Sequence, residues 1–555
     1  MSLTKRNYIL LFLSLITIFI GIFFRFYNIP WGSPLFFHPD ERNIASSISQ
    51  LTYPQQMNPH FFAYGSLPIY SIYFAGVAIN FIQNILFHAH NEIMRVGFEN
   101  AIVIGRTFSV FFSVLLLYLI YIVGKEVGGK KGGLISTMLA SSSIGFIQYA
   151  HFSTFEIWLS FFLLFLCYLI YKYLLTGQHK YFIASPIVLG FLISIKISSL
   201  VYLPLCLLIL ILVDVLEIIK ANKKTILLHE RALLKMVVFA GICLISTYLT
   251  SPYFWIDNPG FWNSMHYESS VAIGSLPVFY TQEFEKTIPI IYQLTNVYPF
   301  ILNPFIEILA LISIFFVSKE IIVKKNRMLF IIIIFFIITL LSQLFLFVKW
   351  IRYYIPTISF IYIFLGYYLT KLLTKPGLLK KRLALVVVSF FILISVLYSF
   401  AYFKTALWNP DTRVGASSWA GKNISHNSRI LSEVYDLGIV PFNSSFGNIK
   451  LFNFYDLDVS REKVNELHDE IADTQYIILP SPRILQSRIL KPNLFPQGNL
   501  FYKNLVSEKS GFKKIYKTPC DIFCNILYLG NPIYSYEQTA SVFDRPTITI
   551  FKKIK

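Results

Sequence analysis

Where the chain leaves its first apolar run, the stretch FFHPDERNIA sets His38, Asp40, Glu41 and Arg42 close together. Adjacent carboxylates repel one another and are costly to hold at a membrane boundary. One of them could serve as general base toward an acceptor hydroxyl, and the other could orient it or hold a metal ion. Taken alone, the stretch reads as readily as a solvated loop with routine charges. Further polar residues interrupt apolar sequence downstream. They are Arg106 in IGRTFSV, His151 and Glu156 in YAHFSTFEIW, Lys196 in FLISIKISSLVYLP, and Lys349 and Arg352 in VKWIRYYIP. Each also has a bland reading, because a cation near the interface extends to water for less than the roughly 2.5–3.5 kcal/mol of a mid-bilayer charge. Several cations gathered on one side form an anion site for a phosphate carried on a lipid. With a base beside them, they suit displacement of that phosphate by a hydroxyl nucleophile.

The elements that must position these residues are membrane spans. Of 555 residues, 55% are hydrophobic and 14% charged, with 54 Phe and 35 Tyr, too little charge to cover a soluble domain of this size. Apolar runs of about 18 residues recur. Candidate spans cover residues 9–24, 102–123, 134–149, 155–175, 182–195, 200–218, 236–249, 289–317, 328–348, 351–373 and 383–402. The formal charge of +19 would suggest nucleic acid in a soluble protein. Here the basic residues sit in short loops between spans, among them Lys125, Lys130, Lys131, Lys223, Lys224, Lys325, Lys375, Lys380 and Lys381. That is the positive-inside pattern, so the charge reports topology and no nucleic-acid partner is expected. The N-terminus is placed in the cytoplasm, as an uncleaved anchor, and the C-terminus outside. Residues 67–87 are apolar enough to span, but counting them would invert every later loop. They are therefore expected to be re-entrant or to lie at the interface, preceded by a short amphipathic helix over 43–51. All the singled-out polar residues then fall on the outer side.

After residue 402 the composition changes. Residues 403–555 hold charges, prolines and short β-type runs at 429–434, 476–479 and 547–551, with a helix predicted over 461–472. The expected fold is an all-α polytopic membrane protein of about eleven transmembrane helices with a small C-terminal extracytoplasmic α/β domain. The membrane domain is 1–402, with its first outer loop at 25–101. Cys167, Cys206 and Cys243 read as small core residues. Cys520 and Cys524 are either a disulfide or two free thiols, and no metal-ligand spacing occurs.

The ordered series HPDE, NPHFFAYGSLPIY, IGRTFSV, AHFSTFE, GFLISIKISSLVYLP, SPYFWID and KWIRYYIP resembles polytopic glycosyltransferases of the GT-C class. Within that class the likeness is to the protein O-mannosyltransferase and aminoarabinose-transferase superfamily. The stretches TRVGASSWAGKNI and DTQYIILPS are similar to the outer domain of its bacterial members. The resemblance implies transfer of one sugar from a polyprenyl-phosphate donor to an extracytoplasmic acceptor, whether protein, lipid or glycan. It implies a plasma-membrane location, with Asp40 as general base of an inverting displacement and Glu41 as its neighbour. Arg106, Lys196 and Arg352 are then expected on the lipid phosphate, with Arg42, His151, Glu156 and Lys349 also in the substrate site. Aminoarabinose-transferase relatives carry a Glu-Lys pair where this chain has AYGSLP, so a metal built on that Glu is not expected, and a divalent ion on Glu41 is left open. Two other classes compete: a lipid-linked-sugar transporter, which needs polar residues through the whole membrane depth, and a glycan-binding receptor.

Overall fold

The computed structural model describes residues 3–89, 91–221, 226–324, 326–374 and 377–554; the inner-loop cations Lys223, Lys224, Lys325 and Lys375 lie outside them. The chain divides into two compact units. One comprises Met1–Ile29, Asp40–Leu276 and Ile301–Val396, and the other Pro30–Pro39, Pro277–Phe300 and Leu397–Lys555.

The first unit is helical. Helix α1 (Leu3–Phe26) is followed by α2 (Pro39–Ser49), α3 (Ser66–Phe87) and α4 (Phe98–Ser141). In α4 the chain reverses at Gly129, whose φ of 66° is free of strain only without a side chain. The second half folds back on the first: a Cβ at Gly133 would stand 2.7 Å from the Tyr121 carbonyl oxygen. The spans expected at 102–123 and 134–149 are therefore two arms of one hairpin. Arg25, fully buried near the end of α1, clamps both arms through the Ser113 hydroxyl (2.8 Å) and the Ser141 carbonyl (2.7 Å).

Helix α3 runs 22 residues without a break and is long and apolar enough to cross a membrane. The chain then returns along it. The Asn80 amide donates to the Arg95 carbonyl at 2.7 Å, and Gly76 abuts Val96. At Gly105 the backbone of α4 lies beside Ile72 of α3.

Among the described residues, seven helices are long and apolar enough to cross a membrane, or eight if the bent pair Gln293–Ile301 and Pro304–Ile322 counts as one. Three shorter apolar helices, Phe12–Phe26, His179–Ile195 and Ile197–Leu212, accompany them. The count falls below the expected eleven partly because both arms of α4 are scored as one helix. The most enclosed span is Ile355–Thr374, with residues 355–367 all buried.

The second unit is α/β. Its sheet has the order β2-β1-β3-β5-β4, from β1 (Ile430–Glu433), β2 (Ile449–Phe452), β3 (Tyr476–Leu479), β4 (Phe512–Lys517) and β5 (Thr549–Lys553). Strands β2, β1 and β3 are parallel, while β5 and β4 join antiparallel. The central strands β1, β3 and β5 match the apolar runs read from sequence. Both edges were missed, because Lys450 in β2 and Lys513 and Lys514 in β4 interrupt the apolar pattern, as edge strands do to discourage pairing with other chains. One core lies under Leu431, Ile477 and Tyr502, the other under Ile430, Ile478 and Ile550, on opposite faces of the sheet. Cys520 and Cys524 form a disulfide.

This unit is not the contiguous block 403–555. Arg413 lies 3.9 Å over the Phe37 ring, and His38 packs on Phe543 at 4.4 Å. Lys491 donates to the carbonyls of Glu283 and Glu285 at 2.5 and 2.6 Å. The loop residues 30–39 and 277–300 are thereby built into it.

Candidate active site

Pro39 opens α2, a position where its missing N–H costs nothing, and Asp40 and Glu41 follow in the first turn. Consecutive helical residues diverge by about 100° around the axis. The two carboxylates consequently face different partners. Glu41 is fully buried and held bidentately by Arg106, at 2.8 and 2.6 Å, with the Ser153 N–H donating to it at 2.5 Å. Arg106 is equally buried and also donates to the Ile29 carbonyl at 2.9 Å. This pair ties the start of α2 to α4.

Asp40 is 32% exposed and pairs at 2.5 Å with Arg352, 22% exposed, from the short turn Ile351–Tyr353. The same guanidinium group reaches the Tyr64 hydroxyl at 3.4 Å, and Tyr64 donates to Glu156 at 3.3 Å. The other oxygen of Glu156 is enclosed without a partner. Lys196 sits where helix His179–Ile195 ends, its ammonium 4.6 Å from the Tyr353 ring centroid and 6.0 Å from that of Tyr64. Gly65 makes this juxtaposition possible. Its N–H donates to the Ile195 carbonyl at 2.9 Å, and a Cβ there would stand 2.0 Å from the Ser194 carbonyl oxygen.

Electrostatics follow from this packing. Burial pushes the Tyr64 hydroxyl well above its usual range, and Glu156 adds to the shift. Burial would lower Arg352, but Asp40 and the surrounding phenols outweigh it and hold the guanidinium firmly charged. Glu268, in helix Asn258–Ile273, is raised by burial and lies within electrostatic reach of Arg352, Lys196 and Asp40.

Two hollows adjoin the cluster. A narrow one of about 30 Å³ is lined by Lys196, Arg352, Tyr353, Ser199, Gln343 and Leu159. A wider one of about 220 Å³ is bounded by His60, Phe61, Phe62, Asp257, Ser264 and Glu268. Asp257 accepts from the Asn58 amide at 2.8 Å and faces His60 at 3.7 Å.

Of the residues expected in the site, Asp40, Glu156, Lys196 and Arg352 come together. Arg106 instead faces Glu41. His151 bridges the carbonyls of Ile147 and Tyr27, each at 2.8 Å, where burial pushes it down to about 4. Lys349 is buried on the Phe347 carbonyl at 2.8 Å, and Arg42 lies over the Phe98 ring at 5.2 Å. Sequence reading missed Tyr64, Tyr353, His60, Asp257 and Glu268. The first four lie within stretches noted only as motifs, and Glu268 carries no signal in sequence. Among the described residues, no group of three or more His, Cys, Asp or Glu could hold a metal ion.

Residues 92–245 match the family model for dolichyl-phosphate-mannose-protein mannosyltransferase. The match takes in Arg106, Glu156 and Lys196 and begins beyond Asp40. No curated protein matches the chain. Among solved structures, the archaeal oligosaccharyltransferase AglB from Archaeoglobus fulgidus, in complex with an inhibitory peptide and a dolichol-phosphate, is 11% identical. The alignment covers 100% of this chain and 89% of that one, with a TM-score of 0.50. ArnT from Cupriavidus metallidurans bound to undecaprenyl phosphate is also 11% identical, covering 89% and 95% with a TM-score of 0.45. The family match and the AglB fold both fall within the GT-C class of membrane glycosyltransferases, the class that the ordered motifs resemble.

Proposed function

We propose that this protein transfers a single sugar from a polyprenyl-phosphate donor to an acceptor hydroxyl at the extracytoplasmic face of the cell membrane. The observation that carries this reading is the partly open Asp40–Arg352 pair beside Lys196. An anion entering the narrow hollow meets two cations, and charge-assisted bonds to a phosphate are strong ones. In competing for Arg352, the donor phosphate frees the Asp40 carboxylate. Asp40 then takes the proton of the acceptor hydroxyl as its oxygen attacks the anomeric carbon with inversion. The bond from that carbon to the phosphate oxygen breaks, and polyprenyl phosphate departs with the electron pair, stabilised by Arg352 and Lys196. The wider hollow offers the sugar an apolar floor in Phe61 and Phe62 and hydroxyl partners in His60, Asp257, Ser264 and Glu268. The dolichol-phosphate held by AglB and the undecaprenyl phosphate held by ArnT are ligands of the class this mechanism requires.

The test is release of free polyprenyl phosphate by the protein in lipid nanodiscs, given a panel of polyprenyl-phosphate sugars. Wild type releases it with at least one donor, and Asp40→Asn binds that donor but releases nothing. An Asp40→Asn protein that folds and turns over as wild type would remove Asp40 from the role. Tight donor binding with no release across the panel would favour a transporter.

A further inference from the structure

In the second unit, β1 stands between β2 and β3, and all three are parallel. The chain passes from β1 outward to β2 and then back across β1 to β3. Loops leaving the carboxyl ends of β1 and β3 therefore part in opposite directions, and in open α/β sheets ligands bind where they part. The two loops here are residues 434–438 and 480–483. They approach closely: a Cβ at Gly438 would stand 2.8 Å from the Pro480 carbonyl oxygen, and Ser481 donates its hydroxyl to Asp436.

Three aromatic rings converge on this edge. Tyr435, 57% exposed, lies flat on Phe279, with centroids 4.5 Å apart and 19° between planes; Phe279 meets Tyr455 at 5.0 Å. Glu433, the last residue of β1, is wholly buried beneath. One of its carboxyl oxygens accepts from the Tyr502 hydroxyl at 2.6 Å, and the other is enclosed with no partner. Asp436, Arg488 and Arg483 lie within its electrostatic reach. A buried oxygen left unmatched calls for an explanation in a folded protein. An exposed tyrosine ring lying flat on a half-buried phenylalanine, with carboxyl, guanidinium and hydroxyl groups on the same loops, has the composition that recognises a sugar. The C–H face of the ring lies on the aromatic, and the hydroxyls meet the polar groups.

We propose that this edge binds a neutral saccharide, stacked on Tyr435 over Phe279, with its hydroxyls meeting Asp436 and Arg483. The site lies in a different unit from Asp40.

Saturation-transfer NMR on the full chain in nanodiscs, with methyl glycosides of glucose, mannose, galactose and N-acetylglucosamine, tests this. At least one glycoside binds saturably, and Tyr435→Ala weakens it by about fivefold to tenfold, the worth of one aromatic stack. Tyr435→Phe, which keeps the ring, retains binding, and Asp40→Asn leaves it unchanged. Four results overturn the proposal: no glycoside binds, Tyr435→Ala binds as wild type, Tyr435→Phe loses binding, or Asp40→Asn abolishes it. The last would place the saccharide in the helical unit instead.

Discussion

The two neighbouring acids of α2 should respond to substitution in opposite ways. Glu41 and Arg106 are both fully enclosed and joined by two short bonds. Removing one partner of such a pair strands a charge without solvent and costs roughly 3–5 kcal/mol. At about 1.4 kcal/mol per decade, that is two to nearly four decades in the ratio of folded to unfolded protein. Arg106→Leu should suffer this cost in full. Glu41→Leu should suffer it too, and it also orphans the Ser153 N–H. The double substitution Glu41→Leu with Arg106→Leu should recover most of the loss, because neither charge is then left alone. The assay is a double-mutant cycle on detergent-solubilised protein, reading retained monodisperse fraction after graded heating and, separately, release of polyprenyl phosphate. The expected signature is that activity tracks the folded fraction throughout. The reasoning fails if Glu41→Gln is as stable as wild type yet transfers no sugar, since Glu41 would then be acting on substrate.

Three further outcomes follow from the geometry. Lys196→Ala should weaken polyprenyl-phosphate binding roughly 10- to 150-fold, the range of one lost charge-assisted bond at 1.5–3 kcal/mol, measured by competition with a labelled lipid phosphate. Cys520→Ser should destabilise the α/β unit by about 2 kcal/mol on the loop-entropy model, because the bridged residues are only four apart; urea titration of the full chain reads it. Burial raises Glu433 to about 8 against 4.5 for a free carboxyl. An acid raised in this way stabilises the fold fully below about 4.5 and loses that contribution as pH rises toward 8, by up to about 1.4 kcal/mol per unit. Protease resistance of the α/β unit should therefore fall between pH 5 and pH 8, and Glu433→Gln should flatten the fall. A slope unchanged by that substitution would assign it elsewhere, with Glu283, raised by burial and by Glu537, the next group to substitute.

The helices of the membrane unit were legible because apolar runs are collective signals, and the acid stretch stood out because charge is costly at a bilayer boundary. What sequence could not assign was the division of labour between Asp40 and Glu41. Adjacent letters give no hint that a helix starts at Pro39 and turns one side chain toward Arg352 and the other toward Arg106. Arg106 looked like a phosphate ligand for the same reason: a buried cation in an apolar helix has the same sequence signature whether it meets a substrate or an internal acid. Tyr64 and Glu268 escaped because neither residue type is rare between apolar runs, and only the close approach allowed at Gly65 gives the first its place. In the α/β unit, the central strands announced themselves by apolar runs, whereas the lysine-bearing edges did not.

The α/β unit is assembled from three stretches made at widely separated times. Its first ten residues, Pro30–Pro39, emerge directly after the first membrane helix, and its second piece, Pro277–Phe300, emerges midway. Trp31 and Phe37 must wait for their partner until Arg413 and the sheet have been synthesised. A ribosome stalled or stopped after the last membrane helix leaves those rings exposed together with the segment at 277–300, a sticky surface of the kind that quality-control proteases read. Nonsense alleles in the last third of the gene should therefore behave as losses of the whole polypeptide, and a deletion of the α/β unit will report on biogenesis before it reports on sugar transfer.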